Sequence, residues 1–361
     1  MAVAFDGRAA CPQAADGALG TTRPTNANTW YYLGCCEWNH DRKDAGLADW
    51  KKCVAINPKH ALALRCIGFA LSHPGTYFTN TGVPSGIASK EAYDYYLKSL
   101  EAEPHFRTLD EAGKLAERLK LPASERLALM EKYKDTVYKY DPCVLRLAYT
   151  LNAVGRYAEA HEILTTRRFH VWEGAEGLLD PFVASCLGLG LAAMEDGRAL
   201  CPQSAAAARG LAALPDAAAE KYRLALKYFE ESTTYPENLQ AGRPGDAGTE
   251  PKSRYFMAQC KKALGDEAGY KAELENSLKG WIKAGEMDYW RVKALRELGR
   301  DAETAPLIAE MKQAISELME PVPEVISAYA KFAGDNSAME RAAKAREKAG
   351  ALKALLDELE K

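Results

Sequence analysis

Two carboxylates three residues apart, Glu173 and Glu176, alternate with Gly174 and Gly177 in the run RRFHVWEGAEG at 167–177, behind Arg167, Arg168, His170 and Trp172. Paired acids are the chemistry of glycoside hydrolysis: one protonates the leaving oxygen, and the other acts as base or nucleophile across the sugar. Both acids here share one short loop, so their spacing sets no distance across a substrate, and a lone His170 is more often a loop hydrogen-bonder than a general base. The same residues suit recognition. An indole offers a flat surface to a sugar or peptide, while carboxylates and guanidinium groups fix orientation through charge-assisted hydrogen bonds.

Metal chemistry has one local candidate group, Cys35, Cys36, His40, Cys53, His60 and Cys66. It contains no C-x-x-C pair, and adjacent cysteines chelate a single zinc ion poorly. The nine cysteines are odd in number and lack the spacing of a disulfide framework, so free thiols serving as small apolar residues are expected. No metal and no cofactor are predicted. The chain has no Walker A loop, no Gly-x-Gly-x-x-Gly, no His-Glu-x-x-His and no nucleophile elbow. No catalytic residue is assigned, and the protein is read as a non-enzyme, with direct hydrolysis by Glu173 and Glu176 the minor alternative.

These residues must be positioned by helices, because most of the chain is alanine-rich amphipathic sequence with an internal period. In TWYYLGCCEWNHDRKDAGLADWKKCVAINP, Leu33, Gly34, Gly46, Trp50, Cys53 and Pro58 fall where a tetratricopeptide repeat of about 34 residues has its apolar and small positions. A second unit starts at ALALRCIGFALSH with Gly68 in the small slot and resumes at ASKEAYDYYLKSLEAEP, with Ala92, Tyr96, Ser99 and Pro104 on its second helix. VLRLAYTLNAVGRYAEAHEIL is the most regular copy, turning at Gly155; like turns recur at Gly265 and Gly299. Glycine closes a first helix by accepting the left-handed backbone. One such unit cannot bury its own apolar face, so neighbours stack. The pattern predicts an all-α protein, a right-handed α-solenoid of tetratricopeptide-like helix pairs over 29–335. A loosely attached segment 1–28 precedes it, loop insertions lie near 73–89 and 195–216, and a charged capping helix over 336–361 ends the chain. Within the less regular stretch 105–140, Ser124 is the expected helix cap.

The 361 residues carry a formal net charge of −3, with 27% charged and 47% hydrophobic residues. That balance gives no electrostatic reason to expect a nucleic acid or an anionic membrane as partner. No apolar stretch approaches the roughly 18 residues of a membrane span. The first 20 residues interrupt their apolar content with Asp6, Arg8 and Asp16, unlike a signal peptide, so a cytoplasmic location is expected.

The run 167–177 follows the second helix of the unit turning at Gly155, and that helix is predicted to end near Phe169. The next unit ends in YPENLQAGRPG, 235–245. Equivalent points of neighbouring repeats share one edge of a solenoid, so the two loops should meet and gather Arg167, Arg168, His170, Trp172, Glu173, Glu176, Glu237, Asn238 and Arg243 in one patch. Two readings stay open. In one the patch recognises a ligand. In the other Phe169 and Trp172 plug the gap between units, the acids accept from exposed amides at the next helix start, and Arg168 bonds helix-end carbonyls.

RRFHVWEGAEG, YPENLQAG and SRYFMAQCKKALGDEAGYKAELENSLKGW together resemble the tetratricopeptide C-terminal half of a bacterial family of unknown function whose N-terminal half is β-rich and mutarotase-like. The family pattern Phe-His-Pro-Trp-Glu-Gly-Gly-Glu-Gly is kept at Phe169, His170, Trp172, Glu173, Gly174, Glu176 and Gly177, with Val171 for proline and Ala175 for glycine. Its Tyr-Pro-x-Asn-Leu-Gly-Glu-Gly becomes Tyr235, Pro236, Asn238, Leu239, Gln240, Ala241 and Gly242, losing an acid. The likeness covers about 29–335, and the chain has no counterpart of the β half. The resemblance implies helical repeats and a link to carbohydrate processing.

The expected function is a non-catalytic scaffold whose concave face holds a protein or peptide partner. Tyr31, Arg65, Arg146, Tyr149, Arg254 and Tyr255 are its candidate groove residues. The alternative is an accessory or relic module of a carbohydrate-processing enzyme, touching glycan or a partner's active site through 167–177.

Overall fold

The fold begins with its caps and its small residues. Asn26 accepts from the Asn28 amide at 2.9 Å and opens α1, Ala27–Asn39. Gly34 on α1 then lets Trp50 of α2, Lys43–Ile56, lie flat against the backbone: a Cβ at Gly34 would stand 2.6 Å from the indole ring. The ring fills the space a side chain would take, and its Nε1 donates to the Tyr31 carbonyl at 3.2 Å. A glycine on one helix and a tryptophan on its partner therefore make one close-packed pair.

The structure, a computed structural model, describes residues 25–73, 89–170, 175–201, 214–240, 250–279, 285–324, 326–327 and 337–361. Among the described residues there is no strand, and the protein is all-α, built of tetratricopeptide-like helix pairs. It divides into two compact units, Met1–Leu147 with Val322–Arg341 and Ala148–Pro321 with Ala342–Lys361.

In the first unit α1 packs on α2 and α3, Ala61–Ser72, on α4, Lys90–Ala102; α2 and α4 pack in turn on their following helices. α5 is Phe106–Arg118, α6 Ala123–Lys132 and α7 Lys134–Val137; the unit ends within α8, Asp141–Ala153. Tyr31, Trp38, Trp50, Cys53 and Ile67 form the apolar interior of its first helices. The expected cap at Ser124 is corrected. α6 already starts at Ala123, with Pro122 at its entry in an extended conformation, φ −51° and ψ 144°. Proline fits there because its missing amide is one that the first helical turn leaves unpaired anyway.

In the second unit α9, Tyr157–Thr166, packs on α10, Leu179–Ala199, which packs on α11, Asp216–Glu231. α12, Glu250–Ala263, pairs with α13, Glu267–Ser277, and α14, Glu286–Glu297, with α15, Thr304–Leu318. The turns at Gly155, Gly265 and Gly299 have φ of +78°, +79° and +71°, the left-handed geometry that the Gly-Arg and Gly-Asp spellings predict. The insertion expected from residue 195 begins later, since α10 continues through Glu195 to Ala199. α16, Ser337–Leu359, lays Leu352, Leu356 and Leu359 on Tyr289, Val292, Leu295 and Met311.

No helix of the described residues is long and apolar enough to cross a membrane. The loop at 74–88, the core of the insertion at 202–213 and residues 1–24 lie outside the described residues.

Candidate functional site

α9 ends at Thr166, and Arg167 turns extended at φ −81° and ψ 132°, three residues before the predicted end at Phe169. The cause lies in the next repeat. Asn238 Nδ2 donates to the carbonyls of Leu164 at 2.7 Å and Arg167 at 2.8 Å, and the Phe169 amide donates to the Asn238 carbonyl at 2.8 Å. Asn238 thereby satisfies the helix-end carbonyls that the sequence reading gave to Arg168. The two loops meet as equivalent points of neighbouring repeats should.

The junction is filled from beneath. Phe169, Leu164 and Leu239 are fully buried, and the Arg167 guanidinium lies over the Phe169 ring, 5.7 Å from its centroid. Arg168, His170 and Glu237 are exposed on top. A short 3₁₀ turn, Ala175–Leu178, then leads into α10, and Tyr149 Oη donates to the Gly177 carbonyl at 2.9 Å. Trp172, Glu173 and Arg243 lie outside the described residues, as does the side chain of Glu176.

Gln240 closes the 3₁₀ turn Glu237–Leu239 in the left-handed region, φ +52° and ψ 22°. A Cβ in that conformation crowds the following carbonyl. Gln240→Gly is expected to raise stability by about 1 kcal/mol, read as a higher denaturant midpoint at unchanged slope.

The six candidate groove residues are largely committed within their own units. Tyr31 is buried in the interior of the first helices. Arg65 Nε donates to Glu111 Oε2 at 3.0 Å, and the Arg146 guanidinium reaches Asp110 and Glu117. Arg254 Nη1 meets Glu273 at 3.0 Å, and Lys261 meets the same carboxylate at 2.8 Å. Burial works to raise the Glu273 carboxyl, but the Lys261 and Arg254 hydrogen bonds outweigh it and hold the group below its ordinary range. Tyr255 is buried, its hydroxyl donating to Glu297 at 2.5 Å beside a cavity of about 200 Å³ that is also lined by Lys293, Arg296 and Glu358. Tyr149 alone of the six is exposed.

The histidines and cysteines of the first repeats have structural work. His60 caps α3: its Nδ1 accepts from the Ala63 amide at 3.2 Å, which leaves the proton on Nε2, 3.0 Å from Asn28 Oδ1. A hydrogen bond from the Cys66 thiol lowers the Cys35 thiol to about 7, against its burial, while the same contact and burial push Cys66 well up.

One further group escaped the sequence. His161 of α9, Cys186 of α10 and Glu231, the last residue of α11, place their donor atoms within 4.8 Å of one another. His161 Nε2 and Glu231 Oε1 are 2.9 Å apart. Each residue comes from a different helix, so no local spacing announces them.

No family model matches the chain. Among solved structures it is similar to the type IV pilus biogenesis factor PilW, at 13% identity over 70% of this chain and 92% of that one, with a TM-score of 0.29. It is also similar to human IFIT1, in a dimer with m7Gppp-AAAA, at 10% identity over 87% of this chain and 66% of that one, with a TM-score of 0.34. Likenesses of that size say nothing of a partner or a ligand. The class of protein, all-α with tetratricopeptide-like repeats, stands on the chain's own left-handed glycine turns and on helix pairs closed by a glycine against an aromatic ring, Gly34 on Trp50, Gly68 on Tyr96 and Gly190 on Phe229.

Proposed function

We propose that the protein is a non-catalytic scaffold that binds a protein partner, and that the contact includes the platform formed by the loops at 167–170 and 237–240. The observation that carries this reading is the triple tie between Asn238, Leu164, Arg167 and Phe169, which fixes two loops against each other and leaves Arg168, His170 and Glu237 facing solvent. A fixed polar surface loses little entropy on binding, and exposed charges of both signs give orientation to a partner. The candidate groove tyrosines and arginines supply less of the contact, because five of the six make buried or ion-paired contacts inside the protein.

The test is cross-linking and affinity capture with the full chain and with the charge reversal Arg168→Glu/Glu237→Lys. A stoichiometric protein partner is expected with the natural chain and is lost with the reversal, while far-ultraviolet circular dichroism stays unchanged. Capture that is indifferent to the reversal removes the platform from the contact.

A second reading has support from the same junction. Two of the three segments that resemble the family with a mutarotase-like half hydrogen-bond to each other through Phe169 and Asn238. In this reading the platform belongs to an accessory carbohydrate module, and Trp172→Ala abolishes glycan binding on an oligosaccharide panel without loss of helicity.

A further inference from the structure

We infer that His161, Cys186 and Glu231 form a zinc site that staples α9, α10 and α11 directly beneath the paired loops. The donor set suits the ion. Imidazole nitrogen, thiolate sulfur and carboxylate oxygen are the three ligand types that zinc takes in proteins, at about 2.0–2.3 Å. Four ligands around a tetrahedral ion at those lengths stand roughly 3.3–3.8 Å from one another. The 2.9 Å separation of His161 and Glu231 has to open by a few tenths of an ångström, and the others, which lie within 4.8 Å, have to close by no more than about 1 Å.

Charge argues the same way. Neutral imidazole, one thiolate and one carboxylate sum to −2, which a divalent ion cancels in a site where Cys186 is fully buried. Cys186 would ligate as the thiolate, so its proton has to leave when the ion enters. Zinc replaces that proton, and the thiol hydrogen is released to solvent on binding. The His161 ring is packed on two sides, stacked on Phe182 with centroids 6.2 Å apart and met edge-on by Tyr228 at 5.8 Å.

The location gives the site a consequence. His161 lies less than two turns before the loop that starts at Arg167, and Glu231 lies just before the segment that leads to Asn238. An ion joining them fixes the helix ends from which both loops depart. Three protein ligands, with His161 and Glu231 partly exposed, leave the fourth position to water or to a donor from outside.

The experiment uses the full chain, stripped with chelator and titrated with Zn²⁺ alone against a chromophoric competitor, then with Co²⁺ as a spectroscopic stand-in. One equivalent of tight binding is expected, with a thiolate-to-cobalt charge-transfer band and d–d absorption of tetrahedral intensity. His161→Gln and Glu231→Gln change partly exposed side chains, so they preserve the helices and are expected to weaken Zn²⁺ by about 100-fold or more each. Cys186→Ser is expected to remove the charge-transfer band; should that variant fail to fold, the two glutamine variants decide alone. No stoichiometric binding overturns the site. So does binding that survives His161→Gln and Glu231→Gln unchanged, since the other cysteines would then hold the metal.

Discussion

Phe169→Ala is expected to destabilise the second unit by about 3–5 kcal/mol, a large share of the roughly 5–15 kcal/mol that holds a domain together. The ring is fully buried, as are Leu164 and Leu239 of the same junction, so its loss leaves a void in a close-packed interior. It also removes the face on which the Arg167 guanidinium rests. The backbone consequence is more specific. Phe169 is the residue whose amide reaches Asn238, and a side chain that no longer anchors the strand of loop frees that bond. Two measurements check this together. Denaturant titration gives the loss in free energy, and hydrogen exchange gives the loss of protection at the Phe169 amide. Arg168→Ala, next in sequence and exposed, is expected to change stability by no more than about 0.5 kcal/mol. A Phe169→Ala protein as stable as the Arg168 variant would mean that the junction is not packed as described.

The contrast between those neighbours shows how much of the junction was legible. That the two loops meet follows from the repeat period alone, because Gly155, Gly265 and Gly299 spell the same left-handed turn and set the register of successive units. That Phe169 turns inward is one of the two readings the sequence leaves open, and its ring is fully buried. Which residue satisfies the last carbonyls of α9 does not follow. Arg168 was the nearest donor in sequence, whereas the amide that reaches them belongs to Asn238, some seventy residues later. Sequence reasoning sees local donors and is blind to those supplied by the next repeat.

The same blindness hid His161, Cys186 and Glu231, and it drew attention instead to the cysteines and histidines of the first repeats, which lie close in sequence. His60 there is a helix cap, and Cys53 is a buried apolar residue between Trp50 and its neighbours. Density of ligand-type residues along the chain is a poor guide in a helical repeat, because residues a few positions apart on one helix point around its circumference. Residues on successive helices at one level are the ones that converge. The candidate groove residues are hard to read from sequence for a related reason. An arginine on an amphipathic helix looks alike whether it faces solvent or answers a carboxylate one helix away.

Arg146 is the clearest instance, and Arg146→Ala is expected to cost the first unit about 3 kcal/mol. Its side chain is 13% exposed, and it reaches Asp110, itself 10% exposed, with Nη2 at 3.4 Å from Oδ1. The other end of the guanidinium meets Glu117. α5 is shaped for it: Gly113 has no side chain where a Cβ would stand 2.6 Å from Arg146 Cδ. Burial alone would favour a neutral guanidine, but the Glu117 and Asp110 charges outweigh it, so the group stays protonated with its pKa above the ordinary arginine value. Removing the arginine leaves the buried Asp110 carboxylate with Lys114, at 2.8 Å, as its remaining cation. That residual pairing and the 42% exposure of Glu117 place the cost at the low end of the range for a broken buried pair. Because the contact is shielded from solvent, the loss should change little between low and high salt, unlike that of a surface pair. The double variant Arg146→Met/Asp110→Asn should recover most of the loss, since it removes the stranded charge along with its partner. Urea titrations of the three variants at two salt concentrations measure all of this. A single-variant loss near 0.5 kcal/mol that fades in salt would return Arg146 to the side chains open to a partner.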